Sequence, residues 1–252
     1  DTIANLISLK PIIIVSYAGY VNRNIETGPL KMRAQLMKEA KKRKIPVLQY
    51  LRPIVREWLE QDQFERTRDI VGEHIDGVIM SRIRITPEVI KRIKERSLPV
   101  PYVQNHFNKF FPKEIQEQIL EIYKNVAPVY RYTSCGVSST LKIPDYNAHL
   151  NFLEETQNKD FNYCPLPCRS DQSEICKSRC KIDEKTMRDL LDRAKCNKIS
   201  FDIKKSGAIY LEKEVSKHDL SFLRHNTSSH VDYIGNKHHI DQIANMEVKS
   251  QK

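Results

Sequence analysis

Residues 45–54 read IPVLQYLRPI, and this stretch decides the fold because it has the composition of a buried β-strand. It is a short, largely apolar run, and runs of this length with β-branched residues favour strands buried on both faces. Similar runs occur at residues 11–18 and 75–85, and a fourth strand is predicted at 129–134. The first half of the chain is therefore expected to contain four strands.

The segments between these runs carry helical patterns. Apolar residues recur at helical spacing over 29–44, 61–72 and 112–124. A further helix is predicted to begin at Thr86-Pro87, because a threonine N-cap followed by proline at the first helical position is a strong start signal. Strands that alternate with helices of this length indicate βα units and a parallel sheet, so the fold class is α/β.

Composition excludes several classes of protein. The chain has 252 residues, enough for one large or two small domains, and no apolar run approaches the ~20 residues that span a bilayer. Only 7 residues are glycine, and none has the spacing of a dinucleotide-binding or P-loop motif. The start of the chain lacks a signal-peptide pattern, so a cytoplasmic protein is expected. The net charge of +10 favours a polyanionic partner such as nucleic acid, although basic runs are commonly solvated helix faces.

Polar residues lie at the carboxyl ends of the predicted strands. Parallel strands place their carboxyl ends at one edge of the sheet, where ligands of such folds bind. Arginine recurs there, which suggests a carboxylate or phosphate ligand, or alternatively arginines paired with loop carboxylates. The strand-end residues are Ser16, Tyr17, Arg52, Ser81, Arg82, Arg84, Ser134 and Cys135.

The cysteines are concentrated in one segment, in which Cys164, Cys168, Cys176 and Cys180 are separated by three, seven and three residues. Thiolates at these separations suit a zinc ion or an iron–sulfur cluster, with Cys135 able to replace one of the four. Two disulfides or free thiols are the alternatives. Residues 136–182 are thus expected to form a Cys-rich metal-binding segment. Residues 183–235 are predicted to form a small α+β appendage of helix and hairpin, resembling a winged helix, and 236–252 a polar tail.

Together these segments resemble the later part of a radical S-adenosylmethionine (SAM) protein, in the branch that includes spore-photoproduct-lyase-like proteins. The stretches that carry the resemblance are PIIIVSYAGYVNRNIETGPL (11–30), KIPVLQYLRPIV (44–55), IDGVIMSRIRITPEVIKRI (75–93), RYTSCG (131–136) and CPLPCRSDQSEIC (164–176). The resemblance implies that residues 1–135 form a partial (βα) barrel that uses SAM and a [4Fe–4S] cluster to generate a 5′-deoxyadenosyl radical.

The family's C-x3-C-x2-C motif after the first strand is absent, so Cys164, Cys168, Cys176 and Cys180, with Cys135, would hold an auxiliary iron–sulfur cluster or zinc. The chain is then the later part of a longer enzyme, one subunit of a split enzyme, or a relative that has lost the chemistry; the Asp1 start favours the first. The missing motif would come from a second chain or a preceding region. Ser16, Arg52 and Ser81 are the candidate SAM-binding residues, chosen for their positions at strand ends. The alternative function is a non-catalytic, metal-stabilised nucleic-acid-binding or assembly protein.

Overall fold

The computed structural model describes residues 11–22, 24–26, 28–83, 85–101, 113–145, 170–177, 182–204, 207–229 and 231–233. The chain forms two compact units, Asp1–Thr140 and Leu141–Lys252. Each unit has its own sheet and its own buried core. In the part of the chain that the structure describes, no helix combines the length and apolarity needed to cross a membrane.

The first unit contains a four-stranded parallel sheet, which confirms the predicted α/β class. Its strands lie side by side in the order in which they occur along the chain. The strands are β1 (Ile13–Ser16), β2 (Val47–Ile54), β3 (Gly77–Arg82) and β4 (Val129–Tyr130). The helices are α1 (Leu30–Lys42), α2 (Gln63–Val71), α3 (Pro87–Glu95), α4 (Lys113–Tyr123) and α5 (Thr133–Leu141).

The sequential strand order places the crossover helices on one face of the sheet. Connections between neighbouring parallel strands are right-handed, so strands added in one direction carry their helices on one side. Accordingly, α1 packs against β1, β2 and α2, and α2 packs against α4. On the edge strand β1, Val15 is buried while Ile14 and Ser16 are exposed, which is the alternation of a strand covered on one face only.

The start of α3 follows directly from the sequence, whereas α1 is stabilised by packing and by an ion pair. Thr86 caps α3, since its side-chain oxygen accepts a hydrogen bond from the Val89 N–H at 3.2 Å, and Pro87 occupies the first helical position. α1 has no side-chain cap at its N-terminus but buries Met37 and Ala40. Lys41 of α1 forms an ion pair with Asp76, just before β3.

The fourth strand is shorter than predicted. β4 pairs with β3 only at Val129 and Tyr130, and α5 begins at Thr133. Ser134 and Cys135 therefore lie in the first turn of a helix and not at the end of a strand. The sequence does not predict this helix, because its hydroxyl-rich residues have a low helix propensity. Tertiary packing compensates: a side chain at Gly136 would lie 3.1 Å from Ile79, so α5 packs closely on the sheet face opposite α1.

The second unit contains elements that extend beyond the expected helix and hairpin. Its helices are α6 (Ser170–Lys177), α7 (Glu184–Arg193) and α8 (Lys217–Thr227), and its strands are β5 (Phe201–Ile203), β6 (Ile209–Leu211) and β7 (Val231–Tyr233). β5 and β6 pair antiparallel, as a hairpin requires, whereas β7 pairs parallel to β6 after the α8 crossover. The core of this unit is built from Met187, Leu190, Leu191, Ile209, Leu211, Leu223 and Val231.

A small core lies at the carboxyl ends of the first strands of the parallel sheet. Ala18 and Tyr20, which follow β1, pack with Val55, Trp58 and Ile93. The Trp58 indole N–H donates to the Pro99 carbonyl at 2.7 Å. Only 1% of Tyr20 is exposed, and burial raises the pKa of its hydroxyl to about 12.

The buried Tyr20 hydroxyl is expected to make stability fall at alkaline pH. A tyrosine titrates near pH 10 in the unfolded chain, so a raised folded-state pKa contributes stability that is complete below about pH 10 and is lost as the pH rises towards 12. By pH 11 the wild type should lose about 1 kcal/mol more unfolding free energy than Tyr20→Phe. Urea unfolding of both proteins at pH 8 and pH 11 measures this difference. Equal losses in the two proteins would contradict it.

Candidate functional site

The candidate site is a group of polar side chains at the carboxyl ends of the strands, which we call the strand-end cluster. Three of its members, Ser16, Arg52 and Ser81, were predicted from the sequence. The Ser16 hydroxyl donates to the Arg52 carbonyl at 3.3 Å. Tyr50 connects the others, because the Arg52 guanidinium carbon lies 5.5 Å from its ring centroid and Ser81 hydrogen-bonds with its hydroxyl. The fifth member, Thr133, also hydrogen-bonds with Tyr50.

The register of the sheet explains why these residues meet. Ser16 pairs with Tyr50, and Tyr50 pairs with Ile79, so these three side chains lie on the same face of the sheet. Ser81 follows Ile79 by two residues and shares that face. Thr133 reaches the same place from the start of α5. The site therefore lies on the face opposite α1, where β1 leaves the sheet exposed.

The electrostatics of the cluster centre on Tyr50. Burial alone would raise the pKa of its hydroxyl, but hydrogen bonds with Ser81 and Thr133 and the adjacent Arg52 guanidinium together lower it below its ordinary value. Arg52 is exposed, and no carboxylate of the described residues lies within ion-pair distance of it. The exposed guanidinium and the neighbouring hydroxyls thus form a surface suited to an anionic group.

The structure describes some of the other predicted strand-end residues. Tyr17 is buried, and burial, followed by the Glu26 charge, raises the pKa of its hydroxyl despite the opposing effect of Arg33. Arg82 is the last residue of β3, and Arg84 lies outside the described residues. Buried Arg131, which follows β4, donates to the Met80 carbonyl at 3.4 Å.

The loop after β1 is held beside the cluster by the buried carboxylate of Glu26. This carboxylate accepts hydrogen bonds from the backbone N–H groups of Ala18 and Tyr20, both at 3.2 Å, and from Arg33 at 2.7 Å. Arg33 in turn donates to the Ser16 carbonyl at 3.0 Å. One ion pair therefore joins α1, the loop and the end of β1.

A second set of contacts fixes the other side of this loop. Glu60 accepts from the backbone N–H groups of Val21 and Asn22, each at 3.1 Å. The Gln63 side chain donates to the Ala18 carbonyl at 2.7 Å. These acceptors and donors satisfy backbone groups that would otherwise be left without partners when the loop packs on the sheet.

The predicted metal ligands are only partly within the described residues. Cys164, Cys168 and Cys180 lie outside them. Cys135 is half-buried in α5 of the first unit, and Cys176 is buried in α6 of the second unit. Within the described ranges, no group of three or more histidine, cysteine, aspartate or glutamate residues could hold a metal ion.

Cys176 nevertheless has a distinctive environment. Its sulfur accepts hydrogen bonds from the Asp145 backbone N–H and from the Gln172 side-chain amide, both at 3.3 Å. The Gln172 amide also donates to the Ile143 carbonyl at 2.9 Å. The buried sulfur therefore has two N–H donors, one from the backbone and one from a side chain.

Sequence reasoning did not select Tyr50 or Thr133. The alternation of side chains along a strand could have identified Tyr50, since it precedes Arg52 by two residues. Thr133 was missed because the segment that contains it was interpreted as a strand. No family model, curated protein or solved structure matches this chain.

The loop geometry leads to a prediction for Gly19. Its φ of +76° is a conformation that other residues rarely adopt, and an added Cβ would overlap the Thr67 hydroxyl. Gly19→Ala should therefore destabilise the protein by about 2 kcal/mol, measured by urea unfolding. Gly72→Ala is the control, because Gly72 has a φ of −56° and its Cβ would lie 3.0 Å from one Val126 methyl group. Equal effects of the two substitutions would show that the Gly19 backbone is not constrained.

Proposed function

We propose that this chain is the later part or a subunit of a radical SAM-type enzyme, and that its strand-end cluster binds SAM. The observation that carries this proposal is the grouping of three polar residues at the carboxyl ends of the parallel strands: Ser16 bonds to the Arg52 carbonyl, and Tyr50 contacts both Arg52 and Ser81. Ligands of parallel α/β sheets and barrels bind at the carboxyl ends of the strands. The proposal is thus supported by the position and by the chemistry of the site.

The partial (βα) barrel is part of the same proposal. Support comes from the sequential strand order, which differs from the reversal of strand order in a doubly wound sheet. Among the described strands β1 is an edge strand, and a preceding strand of a barrel would add to the sheet beside it. We propose that a second chain or a preceding region supplies that strand and the C-x3-C-x2-C motif.

In this proposal Arg52 binds the SAM carboxylate. A guanidinium can donate two parallel hydrogen bonds to a carboxylate, and exposed Arg52 is available to do so. Ser16 and Ser81 supply hydroxyl groups beside it. With an iron–sulfur cluster present, SAM would be cleaved reductively; the described residues contain no ligand set for that cluster, and their role is to bind and orient SAM.

Cys176 is proposed as a ligand of the auxiliary iron–sulfur cluster or zinc. Its support is the pair of N–H groups that donate to its sulfur, because hydrogen bonds of this kind stabilise metal-bound thiolates. Soft thiolate ligands suit both candidates. The remaining ligands would come from the other cysteines of the segment.

SAM binding tests the proposed site directly. Calorimetric titration of the full chain with SAM should show binding that Arg52→Gln weakens by about 10- to 100-fold, because a charge-assisted hydrogen-bond pair contributes about 1.5–3 kcal/mol. Arg188→Gln is the matched control, since Arg188 also lies over an aromatic ring, 4.6 Å from the centroid of Phe201, but belongs to the second unit. Absence of SAM binding would refute the proposal, and salt-dependent binding of RNA or DNA instead would favour the nucleic-acid alternative.

Metal analysis tests the auxiliary site. Anaerobically prepared protein should contain iron with sulfide, or one zinc per chain, and Cys176→Ser should lower that content by at least half because it removes a thiolate ligand. Cys196→Ser is the control, since Cys196 packs against the core of the second unit. Metal-free wild-type protein, or equal metal content in both variants, would exclude Cys176 as a ligand. Far-ultraviolet circular dichroism verifies that both variants fold.

A further inference from the structure

Tyr50 is the member of the strand-end cluster to which the proposed function assigns no role. It lies near the middle of β2, half-buried, on the exposed face of the sheet. Side chains from three elements converge on it: Arg52 from β2, Ser81 from β3 and Thr133 from α5. A tyrosine that served only to fill space would not need polar partners from three directions.

The hydrogen bonds of Tyr50 determine what its hydroxyl can offer a ligand. A phenol oxygen has two acceptor positions and one O–H donor. The Arg52 guanidinium can only donate to the phenol oxygen, whereas the hydroxyls of Ser81 and Thr133 can either donate to it or accept from it. When both hydroxyls turn to donate elsewhere or to the phenol oxygen, the phenol O–H can donate to a bound acceptor beside Arg52.

The surrounding groups are donors too. Arg52 has five N–H donors and no acceptor, and its guanidinium is exposed. The Ser16 hydroxyl donates to the Arg52 carbonyl at 3.3 Å, so this carbonyl already has a partner within the cluster. A ligand that approaches Tyr50 and Arg52 therefore meets donors and positive charge, which an oxyanion satisfies and a neutral donor group does not.

We propose that the Tyr50 hydroxyl donates a hydrogen bond to the ligand of the strand-end cluster, and that Tyr50 and Arg52 together restrict this ligand to one with a carboxylate or phosphate group. The inference rests on the proposed function in that it uses the same site. It does not require the ligand to be SAM, because any small molecule with an oxyanion of this kind would meet the same donors.

Three probes separate these possibilities by calorimetric titration of the full chain. They are inorganic phosphate, SAM, and 5′-methylthioadenosine, which has the nucleoside and thioether but no carboxylate. Tyr50→Phe removes only the hydroxyl and should weaken phosphate and SAM binding roughly 10- to 100-fold each, as expected for one hydrogen bond to a charged group. Binding of 5′-methylthioadenosine should not change. Tyr233→Phe, which removes a hydroxyl from the second unit, is the control and should resemble the wild type.

A spectroscopic measurement distinguishes direct contact from a structural effect. Protein labelled with ¹³C at the phenolic carbon of tyrosine should show one resonance that is missing in Tyr50→Phe and that shifts when phosphate is added. Arg52→Gln should abolish the phosphate-induced shift while the resonance itself remains. A Tyr50 resonance that does not respond to phosphate, or phosphate binding that is equal in wild type and Tyr50→Phe, would overturn the inference.

The outcomes for the two proposals differ. Phosphate binding that depends on Tyr50 and Arg52, without SAM binding, would support this inference and refute the SAM-binding function. SAM binding that is insensitive to Tyr50→Phe would support the function and overturn the inference. Absence of phosphate binding at millimolar concentration would overturn the inference, because the site would then lack the affinity for oxyanions that its donors predict.

Discussion

The ion pair between Glu26 and Arg33 holds together the end of the first unit that carries the strand-end cluster. The loop after β1 crosses the carboxyl end of the sheet, and its backbone N–H groups would be left unsatisfied if it packed there without acceptors. Glu26 accepts two of them, and Arg33 both neutralises this buried carboxylate and binds the Ser16 carbonyl. A buried charge without such partners would cost several kcal/mol, so the loop, α1 and the end of β1 are stable only together.

This arrangement explains how the strand-end cluster is both ordered and open. Helices α1, α2 and α4 form a layer on one face of the sheet, and α5 covers part of the other face through Gly136. Near β1 that second face is exposed, and Ser16, Tyr50 and Arg52 are found there. The sheet and the hydrogen-bonded loop after β1 thus fix the positions of the polar side chains. The guanidinium of Arg52 remains accessible to a ligand.

Much of the first unit could be predicted from local patterns. The strand around Leu48 and the helix after Thr86 follow from apolar runs, periodicity and a capping residue, all of which act over a few neighbouring residues. The segment 131–136 could not be predicted in this way. Its residues favour neither a helix nor a strand strongly, and the helix forms because Gly136 allows close packing on Ile79, a residue more than fifty positions away.

The same division applies to the site. The sequence alone predicted parallel strands with Ser16, Arg52 and Ser81 near their carboxyl ends, because apolar runs, helical periodicity and chain order can be read along the chain. Only the tertiary structure decided that Tyr50 joins these residues, that Thr133 reaches it from α5, and that Glu26 and Glu60 hold the adjoining loop. These contacts depend on strand register and on which distant segments meet. Hydrogen bonds form only within about 3 Å, so such contacts exist only once the whole unit has folded.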